Sequence, residues 1–310
     1  MPMDQSTKVK PSAIYPLLVC VGAMLWGTDL VLRPGLLKRG YSAAWVVLFE
    51  HVLLSLIYLP VLIKGRKRIW FALRRHWLSF LTISWGGSAL ATWLYTQSFT
   101  FGPPLTAILL QKVQPLFAIG LASLVLGERR RPLYWCVGAL AVAGAYLLSG
   151  LTGWPNLHDA RFMEAACAIG AAALWGMATV AGRVLSEALS PQQVSGTRFI
   201  LAVPPLVVLA ALSRSTPHSI LDNPSALLLL LGIVLIPDLA GMLIYYVGLK
   251  GTPASTATLG ELCYPLTSLA IGVLFLHSTL TIPQVAGLLM LIASVVWLSF
   301  DRSLVSEHTV

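Results

Sequence analysis

Ten stretches of about twenty apolar residues, separated by short polar breaks, run along the chain: 14–32, 43–63, 77–99, 104–126, 132–149, 163–185, 193–213, 225–248, 254–276 and 281–300. A helix needs about that length to cross a hydrocarbon core roughly 30 Å thick, and only helices and closed barrels satisfy their backbone groups inside one. The pattern predicts an all-α polytopic membrane protein with ten transmembrane helices. The largest break, Gly150 to Phe162, is too short for a separate domain. The first run follows Lys8 and Lys10, as a signal peptide would, but it is long enough to span and has no small-residue cleavage site behind it. It is expected to stay as a helix.

Basic residues set the orientation. With the N-terminus inside, the inner breaks collect Lys8, Lys10, Lys64, Arg66, Lys67, Arg68, Arg74, Arg75, Arg129, Arg130, Arg131, Arg183, Lys250 and Arg302. The outer breaks collect only Arg33, Lys38, Arg39, Arg161 and Arg214. An excess of Lys and Arg on the cytoplasmic side places both termini there.

Overlaying the chain on itself exposes a repeat at an offset of 149: Leu25-Trp26-Gly27 matches Leu174-Trp175-Gly176, and Gly102-Pro103-Pro104 matches Gly251-Thr252-Pro253. Five spans per half is an odd number, so the second half enters the membrane upside down. The expected architecture is two five-helix inverted repeats, 1–150 and 151–310, a design that gives carriers two equivalent states facing opposite sides.

Composition agrees with a bilayer. Of the residues, 57% are hydrophobic and 11% charged, against the roughly 25% charged of soluble domains. The formal charge of +9 sits in the breaks, where it reads as topology and anionic-lipid contact; no basic stripe interleaved with aromatics suggests nucleic acid. Cys20, Cys136, Cys167 and Cys263 lie inside apolar runs without metal-type spacing and read as small buried hydrophobes. Neither a metal nor another cofactor is expected.

The paired halves, the Leu-Trp-Gly of each first helix, the prolines of spans four and nine, and the Leu126-Gly127-Glu128-Arg129 ending of span four together resemble the drug/metabolite transporter superfamily, EamA-type. The second half has Leu276-His277-Ser278 in place of the glycine-glutamate pair, so the match does not extend to a paired role for Glu128. Within the superfamily the chain is similar to bacterial amino-acid exporters, chiefly the aromatic amino-acid group. That resemblance implies a multi-pass carrier in the bacterial inner (plasma) membrane, exporting small zwitterionic metabolites by alternating access through a cavity between the halves. The oligomeric state is not fixed by the sequence, and a monomer suffices for such a design.

A charge at a helix centre costs roughly 2.5–3.5 kcal/mol on insertion scales, so each intramembrane charge should face a cavity or a partner. Lys112 falls near the middle of span four, flanked by Gln111 and Gln114, and Pro115 frees a backbone carbonyl beside it. Glu261 has the matching depth in span nine, with Tyr264 three residues on and Pro265 following. Lys112 and Glu261 either neutralise each other or clamp a zwitterion, lysine to carboxylate and glutamate to amine. Pro115 and Pro265 are the expected hinges.

Glu50-His51 in span two and Arg198 in span seven suit an ion pair between the halves, and Asp29 with Arg33 a local pair at the interface. Asp238, Gly241, Met242 and Tyr245 share a helical face of span eight. Ser84, Ser88, Thr92 and Tyr95 form a hydroxyl stripe on span three. Trp26, Trp85, Trp93 and Trp175 lie deep enough to meet a substrate, while the other tryptophans fall at span ends. No His-Glu-x-x-His, phosphate loop or nucleophile elbow supports a membrane-embedded enzyme, and no filter loop supports a channel. Nucleotide sugars would call for more cations than Lys112 and Arg198, whereas a quaternary cation would suit an acidic aromatic cage of Glu261, Tyr264 and Trp175.

Overall fold

The computed structural model describes residues 14–118, 120, 132–151, 158–213, 220–249, 260–261 and 263–300. Glu128, Trp154 and the Gly251-Thr252-Pro253 motif lie outside them. Among the described residues the structure is helical throughout, with helices α1 (Ile14–Trp26), α2 (Asp29–Leu37), α3 (Ala43–Arg75), α4 (Trp77–Leu81), α5 (Ala91–Ser98), α6 (Pro104–Leu110), α7 (Pro132–Ser149), α8 (Ala160–Ala188), α9 (Pro191–Leu212), α10 (Pro224–Ile233), α11 (Met242–Leu249), α12 (Cys263–Leu276) and α13 (Ile282–Phe300). Among these residues, five continuous stretches are long and apolar enough to cross a membrane: 14–37, 43–75, 160–182, 191–212 and 224–245. Leu228, Leu274, Phe275 and Ile282 are among many large apolar side chains left on the outside.

The elements pair across the halves. α3 packs most extensively on α9 and α7 on α13, while α1 lies along α11 and α8 along α5. Shifting every element by one half maps the first two pairs onto themselves and exchanges the last two. Glycines permit the closest approaches. A Cβ at Gly144 would stand 2.8 Å from the carbonyl oxygen of Gly287, and one at Gly287 2.5 Å from that of Gly144, so α7 and α13 touch through their backbones.

Regular α-geometry fails at matching places. Span three widens into a π-helix at Thr82–Leu90, and span eight does so at Val234–Gly241. In the second, Pro237 has no N–H for the carbonyl four residues back, which loosens the ladder. In span four, Pro115 denies the same bond to Gln111, and the chain tightens into a 3-10 turn at Gln111–Val113, where the Gln114 N–H bonds Gln111 O. Helix resumes at 114–118. The expected second span is exceeded: α3 continues past residue 63 to Arg75, carrying Lys64, Arg66, Lys67 and Arg68 on a helical extension.

Candidate functional site

Among the described residues, two clusters of polar side chains inside the helix bundle bear on the expected site. The first gathers at the 3-10 turn of span four and the start of α12 in span nine. The 3-10 turn carries Lys112, and its Nζ lies 4.9 Å from the centre of the Tyr264 ring, at the start of α12. Glu261 lies in the turn before that helix and takes a hydrogen bond from the Tyr245 hydroxyl of α11. Among the described residues Lys112 and Glu261 make no direct ion pair within 4.0 Å, although each lies within the other's electrostatic reach. Gln111 is buried, and its Nε2 has no hydrogen-bond partner. Gln114 is half-buried, with its backbone oxygen against Gly176 of α8.

Aromatic rings wall this place. Trp26 sits 4.9 Å from Tyr245 and meets Tyr264 edge-on at 6.5 Å. Tyr95 shares a 3.0 Å hydroxyl contact with Tyr264 and stands edge-on to Trp175 at 5.4 Å. The Trp175 indole N–H is fixed by Gly87 O at 2.8 Å in the first π-helix, while Trp26 lies against Gly241 at the end of the second. Pro115 follows the 3-10 turn of span four, and Pro265 lies in the first turn of α12.

Several sequence expectations are corrected. Tyr264 bonds Glu261 through its backbone N–H at 3.2 Å, while the Glu261 carboxylate takes its hydroxyl donor from Tyr245 of another span. Trp85 is 51% exposed on the outer side of the π-helix, and Trp93 packs between α3 and α9, so neither reaches the centre. The hydroxyl stripe is broken up by the π-turn: Ser88 Oγ accepts from Arg198 Nε at 2.7 Å, away from Lys112. Asp238 lies within the second π-helix and Tyr245 in the α-helix after it, so the regular α-spacing assumed for their common face does not hold between them.

The second polar group is centred on Arg33. The chain turns at Gly27–Thr28, where a Cβ on Gly27 would stand 2.9 Å from Thr267, and α2 carries Arg33 inward to 2% exposure. Its Nη1 lies 2.6 Å from Glu50 Oε2 and 3.2 Å from Thr96 Oγ1, and its Nε 3.3 Å from Asp29 Oδ2. The Asp29–Arg33 pair is therefore buried among the helices. Glu50 is bonded to Arg33 of its own half, while Arg198 turns to Ser88 and Gly87 O. Sequence reading missed Arg33 as a hub because a charge at the end of a predicted span looks like an edge residue until the kink at Gly27 is known.

The profile of the EamA-like transporter family matches residues 13–150 and, separately, 162–300. The chain belongs to the EamA-like transporter family. This EamA-like protein is therefore a multi-pass membrane transporter with one family unit in each half. It is 27% identical over 293 residues to the riboflavin transporter ImpX of Fusobacterium nucleatum, covering 91% of this chain and 96% of that one. Two uncharacterised transporters of Bacillus subtilis match over shorter stretches. YwfM is 27% identical over 185 residues (60% of each chain), and YdeK is 32% identical over 190 residues (56% of this chain, 63% of that one). One crystal structure shares the fold at a TM-score of 0.58 and 19% identity, over 91% of this chain and 94% of that one.

Proposed function

We propose that this EamA-like transporter is an alternating-access carrier of a bacterial inner membrane. It has ten spans in two inverted five-span repeats, 1–150 and 151–310, with both termini in the cytoplasm and a single chain as the working unit. It moves a small ring-bearing polar metabolite through the centre between the halves. The observation that carries this reading is the arrangement of Lys112 and Glu261. They stand at equivalent places in the two halves and near each other, yet each is held by an aromatic partner and not by its opposite charge. Two opposite charges kept short of contact suit a ligand that bridges them, and an aromatic amino acid does so with its carboxylate toward Lys112 and its ammonium toward Glu261.

Trp26, Tyr95, Trp175, Tyr245 and Tyr264 supply ring walls for its side chain, and Gln111 a spare amide donor. Ser88, bonded to Arg198, and Asp238, within electrostatic reach of Arg33, drop out of the substrate set. Pro115 and Pro265 act as bending points when the halves rock. Export is the direction taken over from the amino-acid exporter resemblance.

Riboflavin is the second reading. It is favoured by the riboflavin transporter that matches nearly end to end, and a flavin ring also suits the aromatic walls. The test is counterflow in proteoliposomes loaded in turn with each of the twenty amino acids, riboflavin and a nucleotide sugar. Tyrosine, tryptophan or phenylalanine exchange supports the first reading and riboflavin exchange the second. Exchange of the nucleotide sugar alone would refute both.

A further inference from the structure

α3 is 33 residues long, more than one crossing needs. At 1.5 Å per residue its first part, from Ala43 to Ile63, measures about 30 Å and fills the hydrocarbon core. The residues that follow, Lys64 to Arg68, stand in the next layer, about 5–8 Å deep, where phospholipid phosphates lie. They line an open cleft of about 550 Å³, closed on one side by Gln193 of α9.

The donors of this cleft are held in place. Arg68 Nε donates to the Ala188 carbonyl at the end of α8. Gln193 closes a capping box with Ser190, its Oε1 accepting the Ser190 N–H at 3.1 Å, so its Nε2 turns the other way, against Gly65. A Cβ at residue 65 would stand 2.3 Å from that nitrogen, and the glycine gives the amide its place. Carboxylates do not offset the charge: segment 64–75 contains none, and among the described residues Lys64, Arg66 and Lys67 make no ion pair within 4.0 Å.

Apolar surface borders the cleft above and below. Trp70 and Phe71 are exposed one turn past Arg66 and Lys67, on the same side of α3, and Trp77 is exposed at the start of α4. Aromatic rings settle at the membrane–water boundary and hold the extension there. On the other side of the cleft Leu56, Leu59 and Ile63 form an exposed strip down the same face of α3, the length of an acyl chain's upper part.

We infer that this cleft binds the headgroup of an anionic phospholipid, with Lys64, Arg66, Lys67 and Gln193 Nε2 donating to the phosphate oxygens and the Leu56–Ile63 strip receiving an acyl chain. In the proposed topology the lipid belongs to the cytoplasmic leaflet. A headgroup with its own ammonium brings a further cation among these donors, so net-negative lipids are preferred over phosphatidylcholine. A free phosphate ion offers the same oxygens but uses neither the depth of the cleft nor the apolar strip.

The test takes the purified full-length protein in mixed micelles, titrated with phosphatidylglycerol or phosphatidylcholine of the same acyl chains. Bound lipid is counted by native mass spectrometry and melting is followed in parallel. The wild type should prefer phosphatidylglycerol and melt higher with it. Arg66→Gln with Lys67→Gln should weaken that binding roughly tenfold or more, the effect of removing two charges at headgroup level. Arg74→Gln with Arg75→Gln removes the same charge from the same helix beyond the cleft, and should change binding by less than about threefold, since exposed charges at that remove are screened. Gln193→Glu keeps the capping box, which Glu also forms, but replaces the donor with an anion. It should lose phosphatidylglycerol as the first pair does, with melting in phosphatidylcholine at the wild-type value. Equal binding of both lipids by the wild type, equal losses in the two double variants, or displacement of phosphatidylglycerol by millimolar inorganic phosphate would overturn the lipid site.

Discussion

At the residue scale the two polar groups make different demands. Arg33 has two carboxylates and a hydroxyl bonded to it, so Arg33→Met should destabilise the protein by about 3–5 kcal/mol, the usual effect of leaving buried charges without their partner. Thermal melting in detergent measures this, and adding Glu50→Gln and Asp29→Asn to the same chain should recover much of the loss. Full stability of Arg33→Met alone would mean that the guanidinium is not the hub. Glu261 is a simpler case. Tyr245→Phe removes its one hydroxyl donor, and transport should fall by roughly tenfold, as expected for losing one charge-assisted hydrogen bond. Lys112, Gln111 and Glu261 were legible in the sequence because a charge in an apolar run needs an explanation, and the offset of 149 pairs two of them. Tyr245 as the partner of Glu261 was not legible, since the contact joins different spans.

At the element scale the departures from α-geometry matter most. Hydropathy marks a span but assumes a uniform period, so the π-turns at Thr82–Leu90 and Val234–Gly241 were invisible to it. Each adds backbone to a turn and rotates the neighbouring side chains, and Ser88, inside the first of them, bonds Arg198. The 3-10 turn at Lys112 was half legible through Pro115. Pro115→Ala restores the missing N–H and lets α6 run on, so it should leave melting unchanged or raised while slowing counterflow; unaltered flux would remove Pro115 as a bending point. The contact of α7 with α13 gives an independent check. Gly144→Leu adds a side chain where Gly287 O is already in contact, and should cost about 1–3 kcal/mol in melting, as overpacking does.

For the whole molecule, the repeat was the most informative feature of the sequence. It anticipated the halves that the family profile matches one by one, and it agrees with a packing in which α3 meets α9, α7 meets α13, and α1 with α11 mirrors α8 with α5. The substrate was not legible, because Lys112, Glu261 and five rings define a chemistry and not a molecule. The proposed inverted ten-span topology predicts that reporters fused to either end of the chain are both cytoplasmic, and a signal from the opposite side of the membrane at one end would break the repeat scheme. The most direct test of the central claim is counterflow of the substrate found in the panel, compared among wild type, Lys112→Gln, Glu261→Gln and Trp85→Ala. A site shared by the two halves predicts at least a roughly tenfold loss for each charge substitution, the effect of losing one charge-assisted hydrogen bond, with Trp85→Ala at the wild-type rate. Wild-type counterflow in both Lys112→Gln and Glu261→Gln would contradict it.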